Sequence, residues 1–146
     1  MHILIINGPN LNLLGQRDPD IYGSHTYAEL SQAIKDQAKK RAVDVDIRQS
    51  NHEGDLIDWL HDAHAHKFAG VIINPGALTH YSYAIRDAIE AIHPPVVEVH
   101  LSDITTRKET FRHTSVIEDV VSHRFYGDGF RSYLNAFDFL TGHLHE

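Results

Sequence analysis

The chain of 146 residues has no cysteine, one methionine and one tryptophan. Without cysteine there are no disulfides, no thiolate catalysis and no zinc site built on thiolates. No apolar run approaches the length that a membrane span needs. The N-terminus lacks the basic region and long apolar core of a signal peptide. These absences predict a cytoplasmic protein with no membrane partner.

Positive charge is also scarce, with a formal net charge of -7 and an isoelectric point near 6.0. Nucleic-acid binding needs a basic face, so this balance argues against nucleic acid as the main partner. A small anionic substrate needs only a local cluster of cations and stays possible. The length, the 42% hydrophobic content and the absence of a linker or repeat predict one globular domain over residues 1–146.

Strand-like and helix-like patterns alternate along the chain. Strands are predicted near 2–6, 43–47, 70–74, 96–100 and 123–126, and helices near 26–41, 56–66, 81–92 and 130–140. The second strand alternates apolar and polar residues, which is typical of a sheet edge, and the fifth is unusually polar. Thr26 and Glu29 match a capping box at the start of the first long helix. The alternation predicts an α/β fold with a five-stranded parallel sheet and helices on both faces.

The most informative segment is the run NGPNLNLLGQRDPDIYG at residues 7–23, which directly follows the first apolar strand. Loops this long in a compact domain are uncommon and are usually either functional or disordered. The run carries Arg17 and Tyr22, and it leaves the carboxyl end of a strand, where open α/β sheets bind ligands. A guanidinium beside a phenol favours the phenolate form, so this pair is a candidate base.

Other polar side chains follow later strands toward the same edge. The full candidate set is Asn10, Arg17, Tyr22, Asn74, His80, Glu98, His100, Ser102 and Arg112. A histidine at a strand end is a plausible acid, because imidazole titrates near neutrality. Arg112 offers a bidentate clamp for a carboxylate. Together these groups indicate acid–base chemistry on a small carboxylated and hydroxylated molecule, without need of a metal or redox cofactor.

Taken singly, several of these residues have simpler interpretations. Tyr22 alone is more typical of a packed loop aromatic, and His80 and His100 are each more typical of structural histidines. Asn74 is expected to satisfy backbone groups at a tight turn as well as to bind. The histidines at 61, 64 and 66 allow a metal hypothesis, but a solvated helix face is the simpler interpretation.

Five segments carry a resemblance to a known family. They are NGPNLNLLGQRDPDIYG, RQSNHEGDLIDWLHDA, NPGALTHYSYAIRDAI, VEVHLSDI and FRHTS, and in this order they resemble type II 3-dehydroquinate dehydratase over nearly the whole chain. The resemblance implies a flavodoxin-like fold and generally a homododecamer built as a tetramer of trimers. It also implies conversion of 3-dehydroquinate to 3-dehydroshikimate without a cofactor, in the shikimate or quinate pathway.

The resemblance further implies catalytic roles. Tyr22 matches the base that takes the C2 proton, and Arg17 matches the loop cation that favours its phenolate. Asn10 matches the residue that positions a water against the enolate intermediate. His100 matches the acid that protonates the departing C1 hydroxyl, with Glu98 as its partner.

Substrate-binding positions are implied in the same way. They are matched by Asn74, His80, Leu101, Ser102 and Arg112. Asp87 matches a carboxylate that a neighbouring subunit supplies to the site. The segment 13–22 matches a lid that excludes water when it closes.

The chain departs from the family pattern in three places. Asp103 stands where asparagine is usual, and segment 107–111 is one residue longer than the commoner spacing, which leaves the role of Arg107 open. The fifth strand carries His123 and Arg124, which indicate either an oligomer contact or a weaker strand.

Two other classes of function stay open at this point. One is a flavodoxin-like module that binds a phosphate or flavin through residues 7–15, although neither G-x-G-x-x-G nor the P-loop motif is present. The other is an inactive relative kept for assembly or regulation, against which the intact Arg17, Tyr22 and His100 argue.

Overall fold

Five parallel strands form one sheet in the computed structural model, which describes residues 1–143. The strands are β1 His2–Asn7, β2 Asp44–Gln49, β3 Gly70–Asn74, β4 Val96–His100 and β5 His123–Tyr126. Their order across the sheet is β2-β1-β3-β4-β5, so β2 lies at an edge as its alternating pattern predicts. The predicted domain is therefore described up to residue 143, and residues 144–146 lie outside the described part.

Helices connect the strands. They are α1 Pro19–Tyr22, α2 Tyr27–Arg41, α3 Glu53–Ala65, α4 Tyr83–Ala91 and α5 Phe130–Leu140, with short 3-10 turns at Leu11–Leu13, Gly76–His80, Ile104–Thr106 and Thr110–His113. The capping box is confirmed, because Thr26 Oγ1 accepts the Glu29 amide while Glu29 Oε1 accepts the Thr26 amide.

Two boundaries differ from the sequence prediction. Helix α4 begins at Tyr83 rather than near residue 81, because Ser82 Oγ accepts the Ile85 amide and fixes the helix start. The run 7–23 is not wholly irregular: it contains a 3-10 turn and the short helix α1, whose start Asp18 caps. Short helical turns lack the apolar periodicity that sequence analysis depends on.

The core has two halves, one on each face of the sheet. Successive residues of a strand point to opposite faces, so Ile3 and Ile5 pack with α2 and α5 while Leu4 and Ile6 pack with α3 and α4. This arrangement confirms the prediction of helices on both faces. Within residues 1–143, no helix combines the length and the apolar character that crossing a membrane requires.

The order of the strands places a crevice between β1 and β3, because the chain moves outward in opposite directions from these two strands. Asn7 and Asn74 end them as register partners. The buried Tyr133 of α5 joins the two strand ends: its hydroxyl donates to Asn7 Oδ1 at 2.7 Å and accepts from Asn74 Nδ2 at 2.8 Å. Burial raises the pKa of Tyr133, which keeps this hydroxyl protonated.

Replacing Tyr133 with phenylalanine should lower the free energy of unfolding by about 1–3 kcal/mol, because two buried amides lose their partner. Urea unfolding at one protein concentration measures the loss. The control is Tyr83→Phe, at a side chain that is 67% exposed, and it should change stability by less than about 0.5 kcal/mol. Equal effects of the two substitutions would contradict the structural role of the Tyr133 hydroxyl.

Candidate active site

One cavity at the carboxyl edge of the sheet collects most of the predicted site residues. From the predicted set, its wall contains Asn10, Arg17, Tyr22, Asn74, His80, His100, Leu101, Ser102 and Arg112. Glu98 is fully buried beneath His100. Asp87 lies on the exposed side of α4 and is not part of the cavity wall. The wall also contains Arg107, whose role the sequence left open.

Two guanidinium groups hold the phenol of Tyr22. Arg17 Nη2 donates to the Tyr22 oxygen at 2.7 Å, and Arg107 Nη2 donates to the same oxygen at 3.0 Å. The Arg17 guanidinium carbon also lies 3.8 Å from the centre of the Tyr22 ring. The Tyr22 oxygen thus accepts from two charged donors, and the second of these contacts gives Arg107 a place in the site.

The segment that carries Arg17 and Tyr22 is attached to the core at few points. Leu14 is buried against α2, whereas Leu13 and Ile21 are exposed. Gly15 and Gly23 have φ angles of +89° and +80°, which other residues rarely adopt. The segment is thus a short arm between two glycines, and the side chains of Arg17 and Tyr22 lie on the cavity wall.

Beneath the other wall, His100 contacts a buried carboxylate. His100 Nε2 lies 2.6 Å from Glu98 Oε2, two residues earlier on the same face of β4. Because a carboxylate only accepts, this contact assigns the proton of the neutral ring to Nε2. Nδ1 is then the ring nitrogen left for a substrate.

Sequence reasoning missed three side chains that also donate to Glu98. Thr79 Oγ1 donates at 2.5 Å, Ser115 Oγ lies 2.9 Å from both carboxylate oxygens, and Arg124 Nε donates to Oε1 at 2.9 Å. Arg124 faces Glu98 in the register of β4 and β5, which the local sequence pattern does not reveal. It therefore pairs with a buried acid inside the chain, a contact that neither of the two alternatives for the fifth strand included.

The charge state of Glu98 follows from competing effects. Burial raises its pKa, but the hydrogen bonds from His100 and Thr79 and the positive charge of Arg124 outweigh burial, so the pKa lies below its ordinary value of 4.5. Glu98 is therefore an ionised carboxylate at neutral pH.

Asn10 and Asn74 shape the other side of the cavity. Asn10 has a left-handed backbone with φ +71°, which asparagine tolerates. Its backbone N–H donates to Asn51 Oδ1 at 2.9 Å. Asn74 Oδ1 accepts the Gly76 amide at 3.1 Å. The expectation that Asn74 satisfies backbone groups at the turn is confirmed.

His80 and Arg112 form the polar end of the cavity. Burial lowers the pKa of His80 and outweighs the hydrogen bond to the Thr114 carbonyl, and the charges of Arg112 and Arg107 act in the same direction as burial, so His80 is neutral at neutral pH. Its Nδ1 donates to the Thr114 carbonyl at 2.7 Å. Arg112 Nε is buried without a hydrogen-bond partner among residues 1–143, although a Glu109 oxygen lies 3.2 Å away as an ion pair.

The histidines considered for a metal make separate contacts. His64 Nδ1 accepts the His93 amide at 3.1 Å, and His66 Nδ1 donates to the Asp62 carbonyl at 3.0 Å. No group of three or more potential ligands occurs within the part of the chain that the structure describes.

The buried carboxylate makes a prediction about pH. Because the folded pKa of Glu98 is below 4.5, its ionised form contributes stability that is complete above that value and is lost as pH falls through the lower folded value. Glu98→Gln should remove this dependence and cost about 3–5 kcal/mol at neutral pH, because Arg124 loses its buried partner.

Urea unfolding between about pH 3 and about pH 7 measures both effects. The control is Glu90→Gln, which neutralises an exposed carboxylate on α4 and should keep the acid dependence of the unsubstituted protein. An unchanged dependence in Glu98→Gln would contradict the prediction.

The chain is similar to proteins of one known family along most of its length. The family model for dehydroquinase class II matches residues 1–141. A 3-dehydroquinate dehydratase of Halalkalibacterium halodurans is 55% identical over 131 residues, which cover 90% of this chain and 89% of that protein. A 3-dehydroquinate dehydratase of Thermotoga neapolitana is 49% identical over 140 residues, covering 96% and 94%.

A solved structure agrees with the sequence matches. The crystal structure of type II dehydroquinase from Butyrivibrio crossotus superposes with a TM-score of 0.94 at 47% identity, covering 96% of this chain and 97% of that chain. The family model spans all five strands and the segments that line the cavity. The chain belongs to the class II dehydroquinase family.

Proposed function

We propose that this chain is a hydro-lyase that converts 3-dehydroquinate reversibly to 3-dehydroshikimate with its own side chains. The proposal is carried by one observation: the cavity holds a phenol bound by two guanidinium groups and an imidazole backed by a buried carboxylate. Removal of water from neighbouring carbons needs a base and an acid of this kind. The names of the relatives, 3-dehydroquinate dehydratase, supply the substrate.

Tyr22 is the base in this proposal. Its phenolate takes the proton from C2, which is acidic because it lies next to the C3 carbonyl. The C–H bond electrons move onto the carbonyl oxygen and form an enolate. Arg17 and Arg107 stabilise the phenolate before the transfer, through the two hydrogen bonds to its oxygen.

Asn10 stabilises the enolate through a bound water in this proposal. It lies on the cavity wall beside the first strand end, where its amide positions a water that donates to the enolate oxygen. A donor fixed in advance stabilises the negative charge as it develops, without reorganisation during the reaction.

His100 is the acid. As an imidazolium it donates its Nδ1 proton to the C1 hydroxyl, which departs as water while the enolate electrons reform the carbonyl and create the C1–C2 double bond; the ring keeps its Nε2 proton on Glu98. Tyr22 then holds the proton from C2 and His100 has lost one, so proton transfer through water restores both groups. Glu98 orients the ring through the 2.6 Å contact to Nε2 and balances the imidazolium charge.

The remaining residues of the wall bind the substrate. Arg112 clamps the carboxylate in this proposal, and its position on the cavity wall supports that role. Neutral His80 and the amide of Asn74 offer donors and acceptors to the hydroxyl groups. Leu101 and Ser102 continue from β4 along the same wall and complete the binding set.

The segment 13–22 is a lid in this proposal. It brings Arg17 and Tyr22 to the cavity from an arm bounded by Gly15 and Gly23. Closure over the substrate excludes water, which strengthens the electrostatic interactions inside.

Assembly and location complete the proposal. We expect a homododecamer, a tetramer of trimers, in the cytoplasm. Asp87 is exposed on α4 and lies outside the cavity of its own chain, so it is free to contribute to the site of a neighbouring subunit.

Mixing inactive Tyr22→Phe and Asp87→Asn chains should recover part of the activity, because some mixed sites carry both native residues. No recovery in mixed oligomers, with native mass spectrometry to establish mixing, would contradict the shared site.

Turnover of 3-dehydroquinate by the purified chain tests the function. The assay follows the ultraviolet absorbance of the conjugated enone product in the presence of EDTA, with borohydride pretreatment as a check for a Schiff base. Rapid turnover that survives both treatments is expected. Absence of turnover from a folded oligomer would refute the proposal, and binding assays with inorganic phosphate and flavin would then separate a binding module from an inactive relative.

The role of the base makes a sharper prediction. Tyr22→Phe should lower kcat by at least about a hundredfold, because the phenyl ring cannot accept the C2 proton. Binding of the substrate, measured by calorimetry, should change little. Tyr81→Phe, at an exposed tyrosine outside the cavity, is the control and should keep full activity. Near-normal turnover of Tyr22→Phe would remove Tyr22 as the base.

The two arginines on the phenol should both matter. Arg17→Ala and Arg107→Ala should each lower kcat by roughly ten- to a thousandfold, because each removes one charge-assisted donor from the phenolate. The neighbouring exposed Lys108→Ala is the control for loss of positive charge near the cavity. An Arg107→Ala variant as active as Lys108→Ala would show that Arg107 has no part in holding Tyr22.

A further inference from the structure

Arg124 occupies an unusual place for a charged residue on an edge strand. Edge strands commonly carry charges that point to solvent and block pairing with other chains. Arg124 instead faces its register partner Glu98 on β4, its side chain is only 19% exposed, and its Nε donates to Glu98 Oε1 at 2.9 Å. Protection of the sheet edge therefore does not explain this residue.

The charges around Glu98 single out Arg124. The carboxylate is 0% exposed, and an ion buried this deeply needs a compensating charge as well as hydrogen bonds. Thr79 and Ser115 donate hydroxyl hydrogens but carry no charge. His100 carries a positive charge only while it is protonated. Among the described residues hydrogen-bonded to Glu98, Arg124 is the one with a permanent positive charge.

Catalysis makes this difference important, if the proposed function holds. His100 gives up its proton to the leaving hydroxyl in every cycle, and at that moment Glu98 loses the positive charge of the imidazolium. We infer that Arg124 is a positioning residue of the site: its guanidinium keeps Glu98 ionised after the proton has left and so keeps the His100 ring oriented by Nε2–H.

Other charged groups face this cluster, and none replaces Arg124. Glu118, in the turn before β5, accepts from Arg124 Nη1 at 2.9 Å but is mostly exposed, so the pair contributes little by itself. His80, in the turn after β3, and Arg112, in the turn after β4, act on the His100 side of the cluster. Neither of these two residues is hydrogen-bonded to Glu98.

Removal of the Arg124 guanidinium should change the proton affinity of the Glu98–His100 pair in one direction. Removing a positive charge raises the proton affinity of the Glu98–His100 pair, whichever partner holds the proton. The pair then becomes a weaker acid. Arg124→Gln should lower kcat about tenfold, leave KM within about twofold, and move the alkaline limb of the kcat profile to higher pH.

Two further variants separate positioning from mere folding. Arg124→Lys keeps the charge and should restore most of kcat and the position of the alkaline limb. Arg41→Gln is the matched control, because Arg41 is also a partly buried arginine in an ion pair, here with Asp138 between α2 and α5. It should lower the unfolding midpoint without moving the limb.

A double-mutant cycle with Glu98 completes the test. If Arg124 acts through Glu98, then Arg124→Gln should have no further effect on kcat in a Glu98→Gln background. The double variant also leaves no unpaired buried charge, so the cycle still decides the matter if Arg124→Gln alone does not fold.

The outcomes are separable. A further loss of kcat in the double variant, or an Arg124→Gln profile with an unmoved limb, would overturn the inference while the parent enzyme remains active. Failure of the proposed function would give a different result: the unsubstituted chain would fold but would not turn over 3-dehydroquinate.

Discussion

The organisation of the site depends on one physical constraint: an ionised carboxylate without contact to water must be fully hydrogen-bonded and paired. Glu98 meets this constraint by drawing donors from β4, from β5, from the turn after β3 and from the segment before β5. Four separate parts of the chain are thereby fixed relative to one another. This arrangement also orients the His100 ring, because His100 Nε2 is one of the donors to Glu98.

The opposite wall is built on a different principle. Arg17 and Tyr22 come from a short arm between two glycines, with Leu14 as its buried attachment. In the proposed mechanism the acid His100 is thus part of the packed sheet edge, and the base Tyr22 is carried by a segment with few core contacts. A rigid acid opposite a base that closes with its segment would allow substrate to enter and water to be excluded afterwards.

Local charge outweighs the net charge of the chain. The protein carries a formal charge of -7, yet Arg17, Arg107 and Arg112 all lie on the cavity wall. Concentrated positive charge in a crevice attracts a carboxylate, and in the proposed mechanism it also stabilises the phenolate and the enolate. The strand order places these arginines together, because it puts the crevice between β1 and β3, next to the segments that carry them.

The sequence by itself determined the alternation of strands and helices, the helices on both faces and most of the cavity wall, because periodicity and strand ends are local properties of the chain. It left Arg107 open and did not find Thr79, Ser115 or the contact of Arg124 with Glu98. These contacts join residues 17 to 85 positions apart, and only strand order and register bring such residues together. The tertiary structure alone therefore decided which charges face one another, and with them the chemistry of the site.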